Sequence, residues 1–297
     1  MTLVPKHIKQ LSPYVAGKPI DEIKQKLGID KVIKLASNEN PIGPSIKAIQ
    51  AAKRSLLFSH RYPDSSGYKL RSKLSAQFEV GLDNVVIGSG SEGIMSNIMR
   101  TFLKSGDEII ASMNSFIGFR VLADASGIHT NWVPMKKYRY DLTGIASKIN
   151  EYTKIIYLAN ADNPTGTYFN TTEFEKFMNK VSSHILVIMD EAYFEYSKHL
   201  SDYPNSMYYR YDNVITLRTF SKVYGLAGLR VGYGFAHHEL IANLLKVKLP
   251  FEPSLAAQEA AIAALDDKDH ISKTLEVNFS EKENMQKVFR KFKISFI

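Results

Sequence analysis

Apolar residues recur along this chain in two patterns that alternate with each other. Short runs rich in valine, isoleucine and leucine predict strands buried on both faces, because such strands lack a regular alternation of apolar and polar positions. Stretches with apolar residues three and four positions apart predict amphipathic helices. Strands are predicted at 109–112, 130–133, 154–160, 184–190, 213–217 and 231–236, with a brief one starting at 32, one starting at 84 and a last one at 293–297. Helices are predicted at 19–29, 44–58, 68–78, 92–103, 143–152, 172–181, 237–248, 254–265 and 269–292, and a further helical segment follows residue 119.

The recurrent alternation of strand and helix from residue 84 to residue 236 predicts an α/β fold. Its sheet is expected to be mostly parallel, with helices on both faces. Ligands in open sheets of this kind bind at the carboxyl ends of the strands. The irregular segments that follow the strands are therefore where functional side chains are expected.

Composition limits the classes of function. The chain has 297 residues, a length that allows one large domain with a smaller companion. Its 44% hydrophobic and 23% charged residues are typical of an ordinary soluble globular protein. Its lack of cysteine excludes disulfides and thiolate metal sites, and no metal is predicted. The first residues do not have the apolar core of a signal peptide, and no stretch is long and apolar enough to span a bilayer. We expect a cytoplasmic protein with no membrane partner.

The formal charge of +8 raises the question of nucleic acid as a partner. The basic residues are spread along the chain, however, and the densest clusters, at 136–139 and 287–293, are short. An anionic substrate and cofactor account for a modest positive excess equally well. No nucleic-acid partner is predicted.

The segment 219–233 follows a predicted strand and carries the groups needed to bind a phosphate monoester beside a reactive amine. The hydroxyls of Thr219 and Ser221 and the guanidinium of Arg230 can bind the phosphate, because they supply hydrogen bonds and positive charge. The amine of Lys222 can condense with an aldehyde to form an imine. A phosphate ester and an aldehyde in one molecule describe pyridoxal 5'-phosphate.

A glycine pattern at the start of the helix predicted at 92–103 suggests a different cofactor. Gly88, Gly90 and Gly93 match the G-x-G-x-x-G pattern of dinucleotide-binding proteins, which would suggest a nucleotide-dependent oxidoreductase. That pattern also requires an acidic residue at the end of the following strand, whereas Asp107 and Glu108 precede that strand. The match is therefore weak.

The same helix start is nevertheless suited to an anion. Backbone amides of Gly90, Ser91 and Glu92 at the beginning of a helix form a site for a phosphate, whichever cofactor carries it.

Segment 219–233 resembles the cofactor-lysine motif of fold-type I aminotransferases, and it is close to that of the histidinol-phosphate aminotransferase family. The string Asn38–Pro41 resembles the amino-terminal signature of that family, which approaches the substrate, and Arg61–Asp64 matches another family string. On the residues alone, a capping and turn segment is the favoured reading of the first string. The resemblance covers essentially the whole chain and implies a fold-type I transferase that uses pyridoxal 5'-phosphate and forms a homodimer.

The resemblance implies catalytic roles for three residues. Lys222 would hold the cofactor as an imine and move a proton. Asp190, delivered by an apolar strand to the sheet edge, would keep the pyridine nitrogen protonated, since a buried carboxylate is costly unless its charge is paired. A helix cap or an ordinary salt bridge is the alternative for Asp190. Tyr193 would hydrogen-bond the phenolic oxygen of the cofactor.

Further cofactor contacts are implied in the same way. Asn163 would also bind the phenolic oxygen, although a reverse turn at Asn163–Gly166 explains that string too. Phe116 would lie against the pyridine ring, or be a core residue. Tyr62 would reach the partner's cofactor phosphate across the dimer interface, or pack locally. The phosphate itself would be held by Gly90, Ser91, Glu92, Thr219, Ser221, Arg230 and the Tyr62 of the second copy.

The resemblance also implies a domain division. Residues 1–46 would form an amino-terminal arm with part of a small domain, 47–266 the large cofactor-binding domain, and 267–297 the start of a small α/β domain. Family members usually continue beyond this point, through the arginine that binds the substrate carboxylate, and no matching arginine motif occurs in the chain. The small domain is therefore expected to be incomplete at the carboxyl end.

The leading hypothesis is transamination of histidinol phosphate with 2-oxoglutarate, giving imidazole-acetol phosphate and glutamate. Aromatic-amino-acid aminotransferases and a threonine-phosphate decarboxylase share the cofactor residues and remain alternatives. A non-catalytic protein that binds the cofactor or forms dimers is an alternative of another class.

Overall fold

The computed structural model describes residues 3–15 and 17–297. Its strands are β1 (Val85–Gly88), β2 (Glu108–Ser112), β3 (His129–Val133), β4 (Thr153–Ala159), β5 (Leu186–Asp190), β6 (Val214–Thr219) and β7 (Gly232–Phe235). Its helices are α1 (Lys6–Lys9), α2 (Ile20–Leu27), α3 (Ile46–Ser55), α4 (Tyr68–Phe78), α5 (Gly90–Phe102), α6 (Ile117–Ser126), α7 (Leu142–Ser147), α8 (Thr171–Met178), α9 (Phe194–Ser197), α10 (His238–Val247), α11 (Leu255–Asp266) and α12 (Lys268–Lys291). Short 3-10 turns lie at Leu56–Phe58, Leu82–Asn84, Ser206–Tyr209 and Ala227–Leu229.

The strands form one sheet in the order β1-β7-β6-β5-β4-β2-β3. Neighbours from β3 to β6 are parallel, while β7 runs antiparallel to both β6 and β1. Every strand except β7 therefore points in the same direction, so their carboxyl ends share one edge. The expected α/β fold with a mostly parallel sheet is confirmed.

Helices cover both faces of the sheet, as the apolar strands predict. Alternate residues of β5 pack into different clusters: Ile188 lies with residues of α5, α6 and α10, and Val187 lies with residues of α7 and α8. Helices α3, α4 and α11 pack against β1 and β7 in a third cluster. Both faces of the central strands are thus buried, which explains their continuous apolar runs.

Three predicted elements differ from the structure. No strand forms near residue 32, where Ile33 and Leu35 are 76% and 90% exposed. None forms at 293–297 either, where the Ile294 amide instead donates to the Phe289 carbonyl. Both predictions were wrong because a strand needs a neighbour to satisfy its backbone groups, and the described residues provide none there.

The helix predicted at 143–152 is also shorter, since α7 ends at Ser147. The side chain of Asn150 accepts a hydrogen bond from the amide of Tyr152, which forms a turn before β4. The division into domains at residues 46 and 266 stays a prediction. Within the described residues, no helix is long and apolar enough to cross a membrane.

A buried ion pair joins the carboxyl ends of β5 and β6. Arg218 donates from Nε and Nη2 to Glu191 Oε2 at 3.0 and 2.7 Å, and both side chains are fully buried. Glu191 also accepts from the Ser206 amide, Arg218 donates to Asn205, and the guanidinium lies 3.3 Å from the ring centroid of Phe194. These contacts fix the two strand ends relative to each other.

Replacing one member of this pair is expected to destabilise the fold strongly. Arg218→Met leaves Glu191 buried without its cation, and removing one partner of a buried pair typically costs about 3–5 kcal/mol. The free energy of unfolding, measured by urea denaturation of the cofactor-free protein, checks this.

Two variants make the comparison specific. Lys69→Met removes the cation of the exposed Lys69–Glu259 pair and should cost at most ~1 kcal/mol. The double variant Arg218→Met with Glu191→Leu should recover part of the loss, because no charge then stays buried unpaired. Equal effects of Arg218→Met and Lys69→Met would contradict the structural role of the buried pair.

Candidate active site

The sheet edge formed by the strand ends collects most of the predicted site residues. Asp190 and Thr219 are the last residues of the adjacent strands β5 and β6. Asn163 lies in the loop that follows β4, the other neighbour of β5. Helix α5 begins at Gly90, two residues after the end of β1, and Lys222 follows β6 by three residues. The topology thus brings together segments that are far apart in sequence.

Lys222 lies against the segment before α3, which the resemblance assigns to an amino-terminal arm, and beside Tyr193. Its Nζ donates to the carbonyl of Ser37 at 3.1 Å and lies 5.6 Å from the Tyr193 ring centroid. Burial lowers the pKa of Lys222, and Arg230 acts in the same direction, while Asp190 and other carboxylates oppose it. The amine is therefore shifted toward its neutral, nucleophilic form.

Asp190 is a buried carboxylate with two hydrogen-bond donors. Its side chain accepts from the Tyr157 hydroxyl at 2.8 Å and from the Ala192 amide at 3.2 Å. Burial raises the pKa of Asp190 to about 6, and Tyr157, the Ala192 amide and Lys222 counteract that effect. The group can therefore accept a cationic partner within the physiological pH range.

The helix start at Gly90 faces Arg230. Gly90 has a φ of +76°, and an added Cβ would lie 2.8 Å from Arg230 Nη2. Arg230 also pairs with Glu92, with 3.1 Å between Nη2 and Oε2. Backbone amides at a helix start beside a guanidinium supply the hydrogen-bond donors and positive charge that suit a phosphate group.

Two hydroxyls lie on the β6 side of this region. The Ser221 amide donates to Thr219 Oγ1 at 3.1 Å, and the two hydroxyl oxygens are 3.0 Å apart. Both residues are buried.

Close backbone packing brings the helix start to the sheet. An added Cβ at Gly232 in β7 would lie 2.5 Å from the Ser91 amide nitrogen and 2.6 Å from the Gly90 carbonyl carbon. Only glycine permits this approach, so Gly232 sets the position of the start of α5.

The arm reaches the site through its asparagines. Asn38 Nδ2 donates to the Tyr193 hydroxyl at 2.9 Å, and Asn40 Nδ2 donates to the Val223 carbonyl at 3.0 Å. Burial raises the pKa of Tyr193, with Asn38 opposing. The string around Asn38 is thus more than a local turn, although the residues alone favoured that reading.

The turn that carries Asn163 is organised by its neighbour Asp162. Asp162 accepts hydrogen bonds from the amide and hydroxyl of Thr165 and from the Ser115 hydroxyl. The string therefore forms the expected turn, and the same turn places Asn163 after β4.

Phe116 directly precedes α6, is partly buried and packs against the core cluster below it, so its ring also contributes to the core.

Tyr62 is placed differently. Its side chain is 79% exposed and its ring stacks on Phe251 with 4.3 Å between centroids. Among the described residues, no hydrogen bond joins it to the other predicted site residues. Within the single chain, Tyr62 therefore packs locally, against Phe251.

Residues outside the sequence prediction also belong to this edge, namely Tyr157, Asp162, Glu191 and Arg218. The sequence could have indicated Arg218, because a charged residue within an apolar strand requires a buried partner. It indicated Tyr157 less strongly, through a hydroxyl group within an otherwise apolar strand.

The structure also argues against a dinucleotide site at Gly88, Gly90 and Gly93. Glu108 begins β2, so it lies at the edge opposite to the helix start. Its carboxylate accepts from Asn131 and Asn150 at 2.7 and 2.8 Å, which leaves it structural.

Fold and site define an α/β protein that places a lysine, a buried carboxylate and a helix start at one edge of a mixed sheet. The protein-family model described as "Aminotransferase class I and II" matches residues 30–292. The chain belongs to that family of aminotransferases.

Curated relatives make the comparison closer. A histidinol-phosphate aminotransferase from Anaeromyxobacter sp. is 41% identical over 293 residues, covering 97% of this chain and 79% of the relative. One from Moorella thermoacetica is also 41% identical over 293 residues, covering 98% of this chain and 76% of the relative.

Solved structures agree with the fold. The crystal structure of histidinol-phosphate aminotransferase from Sinorhizobium meliloti in complex with pyridoxal-5'-phosphate superimposes with a TM-score of 0.84 at 27% identity, covering 93% of this chain and 74% of that one. Aspartate aminotransferase from Thermus thermophilus superimposes with a TM-score of 0.78 at 18% identity, so it shares the fold. That match covers 93% of this chain and 76% of the aspartate aminotransferase chain.

Gly232→Ala is expected to destabilise the protein by about 1–3 kcal/mol, because the added methyl group must displace backbone atoms of Gly90 and Ser91. Thermal denaturation of the cofactor-free protein measures the effect. Gly228→Ala is the matched control, since an added Cβ there has nothing within 4 Å and the backbone is not left-handed. A Gly232→Ala protein as stable as the Gly228→Ala protein would refute the close approach.

Proposed function

We propose that this protein is a pyridoxal-phosphate-dependent transaminase that interconverts histidinol phosphate and imidazole-acetol phosphate with 2-oxoglutarate and glutamate. The observation that carries the proposal is the 41% identity, over nearly the whole chain, to relatives named histidinol-phosphate aminotransferase. The arrangement of Lys222 and Asp190 at one sheet edge supports the same chemistry.

The site residues fit the cofactor's phosphate. An added Cβ at Gly90 would lie 2.8 Å from Arg230 Nη2, so the guanidinium lies directly beside the backbone at the start of α5. We assign the phosphate to the residues that supply amides, hydroxyls and positive charge there: Gly90, Ser91, Glu92, Thr219, Ser221 and Arg230. When bound, the cofactor supplies an aldehyde for imine chemistry and a ring that accepts electrons from the substrate.

The chain's own residues then have distinct tasks. Lys222, shifted toward its neutral form by burial, would attach the cofactor and later accept and return the proton at the substrate Cα. Asp190 would hold the proton on the pyridine nitrogen, because an ionised carboxylate stabilises a neighbouring cation in a buried site.

The remaining residues would orient the ring. Asn163 and Tyr193 would hydrogen-bond the phenolic oxygen, and Phe116 would lie against one ring face. The hydrogen bond from Asn38 to Tyr193 would couple the arm to this arrangement.

We also propose a homodimer in which Tyr62 acts on the partner's cofactor phosphate. The 79% exposure of Tyr62 leaves its side chain available to a second copy. An apolar surface groove lined by Ala48, Ile49, Leu56 and Leu229 offers a surface for such an interface. A cytoplasmic location and the domain division at residues 46 and 266 are part of the same proposal.

Lys222→Ala is expected to abolish the visible absorbance band that forms when pyridoxal phosphate is added, together with borohydride-dependent labelling of the chain. Lys248→Ala serves as the matched control, because burial also lowers the pKa of Lys248 and it lies outside the assigned site. Absorbance and mass spectrometry of the reduced protein measure both. A reducible adduct that persists in folded Lys222→Ala would contradict the assignment of the lysine.

The amino substrate is tested with the unaltered protein. Histidinol phosphate is expected to convert the absorbance band with a kcat/KM well above those for phenylalanine and threonine phosphate, measured by stopped-flow and by formation of glutamate from 2-oxoglutarate. A preference for phenylalanine, or release of carbon dioxide from threonine phosphate, would overturn the choice of substrate. A band that no amine converts would favour a cofactor-binding protein without transaminase activity.

A further inference from the structure

Two hydrogen-bond donors occupy only part of the acceptor capacity of the Asp190 carboxylate. An ionised carboxylate offers about four lone-pair directions. The Tyr157 hydroxyl takes one on Oδ2 at 2.8 Å, and the Ala192 amide takes one on Oδ1 at 3.2 Å. The two donors come from different elements, β4 and the turn after β5, so together they hold the plane of the carboxylate in a single orientation.

Tyr157 is itself firmly held. Its side chain is 1% exposed, and its ring stacks on Phe119 of α6 with 3.8 Å between centroids and 8° between planes. In the sheet, Tyr157 is in register with Ile188 of β5, two residues before Asp190. The hydroxyl therefore has little freedom to move away, and without Asp190 it would be a buried polar group lacking this partner.

The groups around Asp190 act in opposite directions. Lys222 favours its charged form and Glu92 disfavours it, while the nearby phenols of Tyr140, Tyr193 and Tyr203 also interact with it. Burial raises the pKa of the Tyr157 phenol well above its usual value, so this group stays protonated and acts as a donor. A donor that cannot ionise opposes the cost of burying the carboxylate.

We propose that Tyr157 is a positioning residue for Asp190, which fixes the carboxylate in its ionised form and aims its free edge at the cofactor ring. This inference rests on the proposed function, because the group at which Asp190 is aimed is the pyridine nitrogen. It adds a residue from within β4 to a site whose other residues lie at strand ends, at the start of α5 and in loops.

The first test uses the cofactor-free protein. Infrared spectra of protein with labelled aspartate, recorded across pH, follow the protonation of Asp190, whose band is assigned by its loss in Asp190→Asn. In Tyr157→Phe the midpoint is expected to rise by about one pH unit, the size expected for losing one hydrogen bond to a charged group. An unchanged midpoint in the folded variant would overturn the proposal.

A second replacement keeps the test decisive if the phenylalanine variant folds poorly. With 3-fluorotyrosine at position 157 the shape is retained and the hydroxyl is a stronger donor, so the midpoint should fall below that of the unaltered protein. A rise, or no change, would count against the hydrogen bond. The matched control is Tyr168→Phe, which removes a hydroxyl that donates to another aspartate, Asp202, at 2.9 Å outside the site and should leave the midpoint unchanged.

The cofactor-bound protein supplies an independent readout. In Tyr157→Phe the affinity for pyridoxal phosphate should fall by about twofold near pH 7 and by about tenfold near pH 5, because the ionised fraction of Asp190 falls by those factors when its midpoint rises from about 6 by one unit. The pH dependence of the visible band should shift with it. If the unaltered protein binds the cofactor but the midpoint of Asp190 does not move, the role of Tyr157 is wrong and the proposed function stands. If the midpoint moves in a protein that never shows the cofactor band, the proposed function fails, and with it the role of Tyr157 toward a cofactor.

Discussion

Charge buried at the carboxyl ends of the central strands is the constraint on which the rest of the site depends. Asp190 and Glu191 are consecutive, both buried, and each needs its own partners. Glu191 is neutralised by Arg218 and accepts from Ser206, whereas Asp190 has only neutral donors within hydrogen-bonding distance. The structure thus compensates one carboxylate fully and leaves the next one able to accept a cation.

The difference between the two carboxylates follows from the alternation of side chains along a chain leaving a strand. Successive residues point to opposite sides, so Glu191 is directed toward the Arg218 network while Asp190 is directed toward Tyr157 and the lysine segment. The rigidity provided by the first network benefits the second site. A charge pair that is a poor source of net stability can still fix two strand ends in place.

Backbone geometry supplies the other part of the site. Gly232 lets β7 pass close to the start of α5, and Gly90 lets the guanidinium of Arg230 lie directly against that helix start. Gly225, in left-handed conformation, lies against the backbone of Gly43, where an added Cβ would be 2.4 Å from the carbonyl oxygen. These close approaches bring the start of α5, the segment that carries Lys222 and the amino-terminal arm close to one another.

The sequence by itself determined the order of strands and helices, the class of fold and the segment that holds Lys222, because continuous apolar runs and local motifs are read directly from neighbouring residues. It did not determine that residues near 32 and at 293–297 lack strand structure, since a strand depends on a partner elsewhere in the chain. Nor did it indicate that Tyr157 reaches Asp190, that Arg218 pairs with Glu191, or that Asn38 contacts Tyr193. Those contacts join residues far apart in sequence, and only the packing of strands, helices and arm decides which distant side chains meet.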